Sequence, residues 1–197
     1  MGVKKLNAIF GFSLGGLIGL EMASTYPLLS HKYVIGAACE LPPLIKMFNA
    51  LQLNMLREAS ADCLKHSRIL QRITCTSNDV LSSHIQRKGF EMAFSYYEND
   101  AEEYNYFFTK ESFYKLVEAL NQFTTPKYFG KHSAKIYLFS LDDDMFTPRD
   151  EIKKLVEILS PHFSNVIYEH FPFMKGHESW VLEFHKIKEH IYRCIND

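Results

Sequence analysis

Four short segments of the chain are rich in apolar residues and have the length of strands, and they are separated by segments in which apolar positions recur at helical spacing. The run Tyr33 to Ala38 is continuously apolar, which predicts a parallel strand that is covered on both faces. The predicted strands are Leu6 to Gly11, Tyr33 to Ala38, Ala134 to Ser140 and Asn165 to Phe171. The predicted helices are Leu14 to about Tyr26, Arg149 to Ser160, and a terminal helix that ends at about Cys194. This alternation predicts an α/β fold with a parallel sheet and right-handed crossovers.

The middle of the chain has a different pattern. Over 45–123 the apolar residues keep a helical period, and no segment has the character of a strand. This predicts a core formed by 1–41 and 126–197, with a helical insertion over 42–125. Helices that lie over a sheet are expected to supply a lid and much of a substrate pocket. The aromatic stretch 90–108 is interpreted as packing within the insertion, and a ligand-binding set of rings is the alternative interpretation.

The first predicted strand leads into Gly11-Phe12-Ser13-Leu14-Gly15, which fits the pattern G-x-S-x-G. In a nucleophile elbow, the strand turns so sharply into a helix that the serine has a strained backbone. The glycines on either side are expected to avoid collisions of a Cβ with neighbouring backbone. Such a pattern also occurs by chance in tight strand–helix turns, but here both flanking elements are predicted. Ser13 is therefore a candidate nucleophile.

An aspartate and a histidine follow Ser13 at the ends of later predicted strands. Asp144 stands in the acidic run after the third strand, and His177 stands in the loop after the fourth. A serine hydroxyl needs an imidazole to accept its proton, and the imidazole needs a carboxylate to hold its tautomer. Taken alone, Asp144 fits a solvated turn and His177 fits a loop histidine. Together, in the chain order Ser, Asp, His, they predict the acyl-transfer site of an α/β-hydrolase.

Composition excludes several other classes of function. At 197 residues the chain has room for one sizeable core, and its formal net charge of −1 gives no reason to expect nucleic acid or membrane partners. No apolar run approaches the ~20 residues of a membrane span, and no signal peptide is recognisable, so a cytoplasmic location is expected. Cys39, Cys63, Cys75 and Cys194 lack metal-ligand spacing and are expected to be buried or half-buried reduced thiols, with no metal bound.

Segments of both the core and the insertion resemble the homoserine O-acetyltransferase family. In the core, the resemblance is carried by Gly2 to Gly16, Glu21-Met22-Ala23, Tyr26-Pro27 and Gly176-His177. In the insertion, it is carried by Phe48-Asn49, Arg68-Ile69, Ile73-Thr74, Ser77, Phe90-Glu91, Ser112-Phe113, Ala119-Leu120 and Phe123. The resemblance covers nearly the whole chain, and the insertion motifs are more specific than the three-residue constellation. It implies the C-terminal half of an α/β-hydrolase fold with a helical cap.

The resemblance also implies a reaction. Ser13 would take an acetyl group from acetyl-CoA, and His177, oriented by Asp144, would act as general base and then as acid. Homoserine would accept the acetyl group in a ping-pong transfer of methionine biosynthesis, with acetyl-CoA as co-substrate and no bound cofactor. The backbone N–H of Leu14 would be one oxyanion donor, worth about 3 kcal/mol by analogy with removals elsewhere.

Two further residues gain a role only through the resemblance. Arg68 would hold the carboxylate of the amino acid, for which a bidentate guanidinium is suited, although a surface arginine is the alternative interpretation. Glu178 would meet the amino group at a position where the family usually has aspartate. The implied partners are small-molecule substrates and a second copy of the chain in a homodimer.

The chain departs from the family in two ways. Phe12 and Leu14 flank Ser13 where the family commonly has a small residue and methionine, which is a mild change. The chain also begins shortly before Ser13, although the fold should carry earlier strands and a loop with a second oxyanion donor. We therefore expect the C-terminal part of a longer enzyme, with an apolar edge at the first strand. Such a polypeptide alone is expected to be poorly stable and weakly active or inactive.

Two other functions fit the same residues. A serine hydrolase of small esters would share the three-residue site and differ in how the cap excludes water from the acyl-enzyme. A non-catalytic remnant or partner subunit would fold stably only beside a second polypeptide. At this level the donor, acetyl or succinyl, and the acceptor, homoserine or serine, are both open.

Overall fold

The computed structural model describes residues 5–58 and 60–197, so Met1 to Lys4 and Ala59 lie outside the described residues. The described chain divides into two compact units. The first unit comprises residues up to Glu40 together with Thr124–Asp197, and the second comprises Leu41–Phe123. Every described strand belongs to the first unit.

Four strands form one sheet in the first unit: β1 (Ile9–Phe12), β2 (Lys32–Gly36), β3 (His132–Asp142) and β4 (Phe163–Lys175). Their order in the sheet is β1-β2-β3-β4, and every neighbouring pair is parallel. Parallel neighbours require a crossover between them, and the helical segments of the chain supply it. The predicted α/β class with a four-stranded parallel sheet is therefore confirmed.

Burial explains why the central strands are so apolar. In β2, Tyr33, Val34 and Ile35 are at most 1% exposed. In β3, every residue from Ile136 to Leu141 is buried. At about 25 cal/mol per Å² of apolar surface, a sheet that is covered on both faces is the main stabilising feature of this unit. The sheet also brings the carboxyl ends of all four strands to one rim.

The described residues contain nine α-helices. In chain order they are α1 (Leu14–Thr25), α2 (Pro43–Arg57), α3 (Cys63–Cys75), α4 (Asn78–Lys88), α5 (Phe90–Tyr104), α6 (Lys110–Gln122), α7 (Arg149–Leu159), α8 (Ser179–Leu182) and α9 (Lys188–Asn196). The prediction of one uninterrupted terminal helix is wrong, because the 3₁₀ turn Phe184–Lys186 separates α8 from α9. At this break the chain turns Ile187 into the core, where it is 2% exposed.

The second unit is a helical assembly with its own core. Leu53, Leu56, Leu64, Phe113 and Val117 pack together in it. Helix ends are capped locally: the Ser77 hydroxyl accepts from the Val80 N–H at the start of α4, and Thr109 with Ser112 forms a capping box on α6. Self-contained capping and packing explain how this unit forms a compact helical assembly.

The aromatic stretch of the second unit is only partly buried. Tyr97 is 3% exposed, and the rings of Tyr104 and Phe108 stack with centroids 4.2 Å apart. Tyr106 and Phe107, however, are 87% and 81% exposed. The interpretation of the stretch as packing is therefore correct for some of its residues and wrong for these two.

The strands at the two edges of the sheet differ in character. β4 carries polar side chains such as Glu169 and His170, whereas β1 consists of Ile9, Phe10, Gly11 and Phe12. Phe10 is 42% exposed and has strand pairing only toward β2 among the described strands. This agrees with the apolar edge that the sequence predicts for the first strand. β1 also lacks the charged residues that protect exposed edges.

Candidate active site

Ser13 occupies a sharp turn between β1 and α1. Its backbone has φ 50° and ψ −123°, a conformation that is uncommon for a residue with a side chain. The Ser13 N–H donates to the Gly36 carbonyl at 2.9 Å, which ties the turn to the end of β2. Its own carbonyl accepts from the Leu17 N–H at 3.0 Å and so begins the helix. The strained elbow predicted from the sequence is therefore present.

The glycines around the elbow do not all have the predicted reason. A Cβ on Gly11 would lie 2.4 Å from the Gly15 carbonyl oxygen, so this position requires glycine. A Cβ on Gly15 would meet nothing within 4 Å among the described residues, and the expected collision there is wrong. Gly16 is the second tight position, because its Cβ would lie 2.5 Å from that of Ala38 and would separate α1 from the sheet.

Asp144 lies in a turn that begins where β3 ends. Asp143 before it has φ 50°, which turns the chain back over the rim of the sheet. The Asp144 Oδ1 accepts from the backbone N–H groups of Phe146 and Thr147 at 2.9 and 3.0 Å. Its Oδ2 accepts from the Thr147 hydroxyl at 2.7 Å. The carboxylate is 0% exposed and is oriented by its own turn.

The loop that carries His177 is aligned with this turn by strand pairing. The register of β3 with β4 shifts after Leu141, so that Asp142 pairs with Lys175. The Gly176 N–H then donates to the Asp142 carbonyl at 2.9 Å. Gly176 has φ 77°, a conformation that favours glycine, and His177 follows it. The bulge therefore brings the aspartate turn and the histidine loop together.

A continuous chain of hydrogen bonds joins the three predicted residues. The His177 Nδ1 lies 2.9 Å from the Asp144 Oδ2, and its Nε2 lies 2.7 Å from the Ser13 Oγ. Because an ionised carboxylate can only accept, Nδ1 donates to Asp144 and leaves Nε2 to accept the Ser13 hydroxyl proton. This is the tautomer that a serine nucleophile requires of its base.

His177 and Asp144 stabilise each other's charged forms. Burial alone would lower the pKa of the His177 imidazole, but the Asp144 carboxylate beside it raises that pKa above its ordinary value. Burial alone would raise the pKa of Asp144, but the charge and hydrogen bonds of His177 and Thr147 hold it below its ordinary value. The pair therefore favours proton transfer from Ser13 to His177.

Aromatic rings hold the elbow and the histidine loop in place. The Phe12 ring, next to Ser13, lies 4.0 Å from the Trp180 ring in α8, between centroids. The Phe146 ring lies 5.0 Å from the His177 imidazole. Trp180 is 3% exposed and belongs to the core cluster of the sheet. The loop that carries His177 is thus packed against the same core as the turn that carries Ser13.

Comparison with solved structures identifies the fold that carries this site. The crystal structure of homoserine O-acetyltransferase from Staphylococcus aureus superimposes with a TM-score of 0.82 at 20% identity, over 100% of this chain and 60% of that chain. Esterase E22 superimposes with a TM-score of 0.81 at 12% identity, over 98% of this chain and 62% of that chain. The chain has the α/β-hydrolase fold.

Sequence comparison finds curated relatives of one enzyme type among the α/β-hydrolases. The homoserine O-acetyltransferase of Methanococcus vannielii is 25% identical over 93% of this chain and 44% of its own length. That of Deferribacter desulfuricans is 23% identical over 100% of this chain and 62% of its own length. These matches confirm the resemblance, and the chain spans about half the length of the curated relatives it matches. No family model matches the chain.

The other predicted site residues are distributed over both units of this hydrolase fold. Leu14 is the first residue of α1, where N–H groups have no acceptor within the helix. Glu178 is half-buried and directly follows His177. Arg68 lies on α3 in the second unit, where its Nε is 3.2 Å from Asp100 and its guanidinium lies 4.2 Å from the Tyr104 ring. The roles of all three stay predictions.

The hydrolase fold also contains a second serine–histidine contact, which sequence reasoning missed. The Ser140 Oγ lies 2.9 Å from the His170 Nδ1 and 2.8 Å from the Tyr168 hydroxyl. Ser140 is 0% exposed within β3, and His170 is its direct partner in the ladder with β4. This serine joins two strands, whereas Ser13 is half-buried at a strand end. Ser13 is therefore the better nucleophile.

Thr147 is a further site residue that the sequence analysis did not identify. The sequence contained a signal for this role. Asp144 is followed three residues later by Thr147, directly before Pro148, and this pattern favours a turn held by the aspartate side chain.

No group of three His, Cys, Asp or Glu suited to a metal ion occurs in the described residues. Cys39, Cys63 and Cys194 are buried and Cys75 is half-buried. None of the helices described is long and apolar enough for a membrane span.

Proposed function

We propose that the chain carries the acyl-transfer site of a cytoplasmic enzyme that resembles homoserine O-acetyltransferase. The observation that carries this proposal is the hydrogen-bonded chain from the Ser13 Oγ through His177 to Asp144. The names of the curated relatives support homoserine as the acceptor and an acetyl group as the cargo. Acetyl-CoA is the proposed donor.

In the first half-reaction, the Ser13 Oγ attacks the thioester carbonyl as its proton passes to the His177 Nε2. The carbonyl oxygen gains negative charge, and the Leu14 N–H at the start of α1 is the proposed donor to it. Collapse of this intermediate breaks the C–S bond, and His177 returns the proton to the leaving thiolate. The products are acetyl-Ser13 and free coenzyme A.

In the second half-reaction, the homoserine hydroxyl attacks acetyl-Ser13. His177 removes the proton of this hydroxyl and then returns it to the Ser13 Oγ when the ester bond to Ser13 breaks. O-acetylhomoserine leaves, and Asp144 stays ionised throughout, since its role is to orient and stabilise the imidazolium. Arg68 and Glu178 are the proposed ligands of the homoserine carboxylate and amino group.

Hydrolysis of small esters is the second candidate function. It is favoured by the likeness of the fold to esterase E22, since the same three residues serve both reactions when water replaces the alcohol. The two functions differ only in the acceptor of the acetyl group from Ser13.

Mass spectrometry of the intact protein tests the proposal. The protein is incubated with acetyl-CoA, and we expect one added acetyl group, mapped to Ser13 and absent from Ser13→Ala. Addition of homoserine should then remove the group and yield O-acetylhomoserine. Release of free acetate alone would favour the esterase, and equal labelling of the alanine variant would exclude both functions.

A further inference from the structure

The Thr147 side chain takes part in the site without being one of the three reacting residues. Thr147 is 2% exposed, and its hydroxyl donates to the Asp144 Oδ2. Resting on the function proposed above, we infer that Thr147 is a positioning residue that shares the carboxylate oxygen closer to the His177 Nδ1 and moderates the hold of that oxygen on the imidazole. Among the described residues, the side chains hydrogen bonded to Asp144 are those of Thr147 and His177.

The two carboxylate oxygens are held in different ways. Oδ1 accepts from the backbone N–H groups of residues 146 and 147, and these bonds do not depend on the side chain at position 147. Oδ2 is shared by the Thr147 hydroxyl at 2.7 Å and by the His177 Nδ1 at 2.9 Å, while the same Nδ1 lies 3.2 Å from Oδ1 and so makes its shorter contact with Oδ2. The hydroxyl and the imidazole therefore draw on the negative charge of the same oxygen. A donor that shares an oxygen weakens that oxygen as an acceptor for the other donor.

The conformation of Thr147 is fixed by its neighbours. Pro148 directly follows it and begins α7, and a residue before proline is restricted to extended backbone. The β-branched side chain further limits the rotamers that the hydroxyl can adopt. The next residue back, Phe146, packs its ring against His177. One short turn thus holds both the carboxylate and the imidazole.

Removal of the hydroxyl should have a defined electrostatic result. In Thr147→Val, the two backbone bonds keep the Asp144 carboxylate in place, while Oδ2 no longer shares its charge with the hydroxyl. Asp144 then stabilises the His177 imidazolium more strongly, so the pKa of His177 rises. Among the residues that the structure describes, the other charged group that acts on His177 is Glu178, which is unchanged in this variant.

The test is an NMR titration of the His177 ring in the full chain. We expect an upward shift of the His177 midpoint in Thr147→Val and in Thr147→Ala, and the wild-type midpoint in Thr147→Ser. The alanine variant serves if the valine variant does not fold. The matched control is Thr76→Val, because Thr76 is also buried and its hydroxyl donates to the Arg72 carbonyl at 2.9 Å, in the second unit. This control should leave the midpoint unchanged.

A second readout is the pH dependence of Ser13 acetylation. The acid limb should move to higher pH in Thr147→Val, because the raised pKa of His177 keeps the imidazole protonated to a higher pH. An unchanged His177 midpoint in the folded valine and alanine variants would overturn the inference, as would an equal shift in Thr147→Ser. If the wild-type protein is not acetylated, the proposed function fails, whereas the titration still decides the role of Thr147.

Discussion

Two histidines of the same sheet unit, one half-buried and one buried, have opposite surroundings. His177 has hydrogen bonds at both ring nitrogens, to Asp144 and Ser13, and its pKa is raised. His132 begins β3 and is 5% exposed, and neither of its ring nitrogens has a hydrogen-bond partner among the residues described. Burial lowers the pKa of His132.

Aromatic packing does not distinguish the two histidines. The Phe146 ring lies 5.0 Å from the His177 ring, and the Phe163 ring stacks 4.2 Å from that of His132. The difference between the two histidines is the Asp144 carboxylate, which compensates for the desolvation of the His177 imidazole. Among the described residues, no carboxylate does this for His132. The contacts of His177 are those that the proposed base requires, whereas His132 has the surroundings of a packing residue.

The largest predicted effect comes from removing the charge of Asp144. In Asp144→Asn the side chain keeps its size but no longer stabilises the imidazolium, and it favours the wrong tautomer of His177. We expect the rate of Ser13 acetylation to fall about 10⁴-fold. The pKa of His177 should fall as well, because burial would then lower it as burial lowers the pKa of His132. Single-turnover kinetics and histidine NMR measure these two changes.

The neighbouring acidic residue provides the control for this substitution. Asp143 stands directly before Asp144 and has φ 50°, a conformation that asparagine tolerates. Asp143→Asn should keep the acetylation rate within a few-fold of the wild type. An equal loss in both variants would mean that Asp144 is not the partner of the base.

The two histidines should also give opposite slopes of stability against pH. The folded-state pKa of His132 is lowered, so only the unfolded chain gains this proton as pH falls through about 6.5, and stability decreases there. The folded-state pKa of His177 is raised, so its contribution is present below about 6.5 and is lost as pH rises through the folded-state value.

The substitution His132→Phe isolates the first of these slopes. We expect the free energy of unfolding at neutral pH to rise by about 1 kcal/mol, because two unpaired ring nitrogens leave the core. The decrease of stability from pH 7 toward acid should become shallower. Denaturant unfolding over a pH series measures both changes, with exposed His185→Phe as the control. A steeper acid dependence in His132→Phe would contradict the assignment.

The smallest predicted effect concerns the neighbour of His132. The Tyr33 hydroxyl is buried and has no hydrogen-bond partner among the described residues, and its ring lies 6.1 Å from that of His132. Tyr33→Phe should raise the free energy of unfolding by about 0.5 kcal/mol. A loss of stability in denaturant unfolding would show that the hydroxyl has a stabilising contact.

The fold was predictable where pattern and burial agree. Short apolar-rich segments identified all four strands, and the signal is clearest for β2, because a parallel strand that is covered on both faces leaves few polar positions. Strand ends were predicted less well: β4 was expected to end at Phe171 but extends to Lys175. The register shift that allows this extension depends on pairing with β3, which is not visible in the local sequence.

The residue types of the candidate site and their order along the chain were predictable from the sequence. The environment of individual side chains was not. Ser13, Asp144 and His177 stood out because each follows a strand. His132 did not, since it lies in a polar stretch before the apolar run of β3, and only the fold shows that Tyr33 and Phe163 enclose it. The open space beside Gly15 likewise depends on which chain segments pack there.

Labelling with a fluorophosphonate tests most directly whether His177 activates Ser13. The probe reacts with a serine whose proton is removed by an adjacent base. We predict that peptide mapping finds the label on Ser13, that Ser13→Ala is unlabelled, and that Ser140→Ala is labelled like the wild type. Label on Ser140, or no label on the folded wild-type chain, would contradict the account.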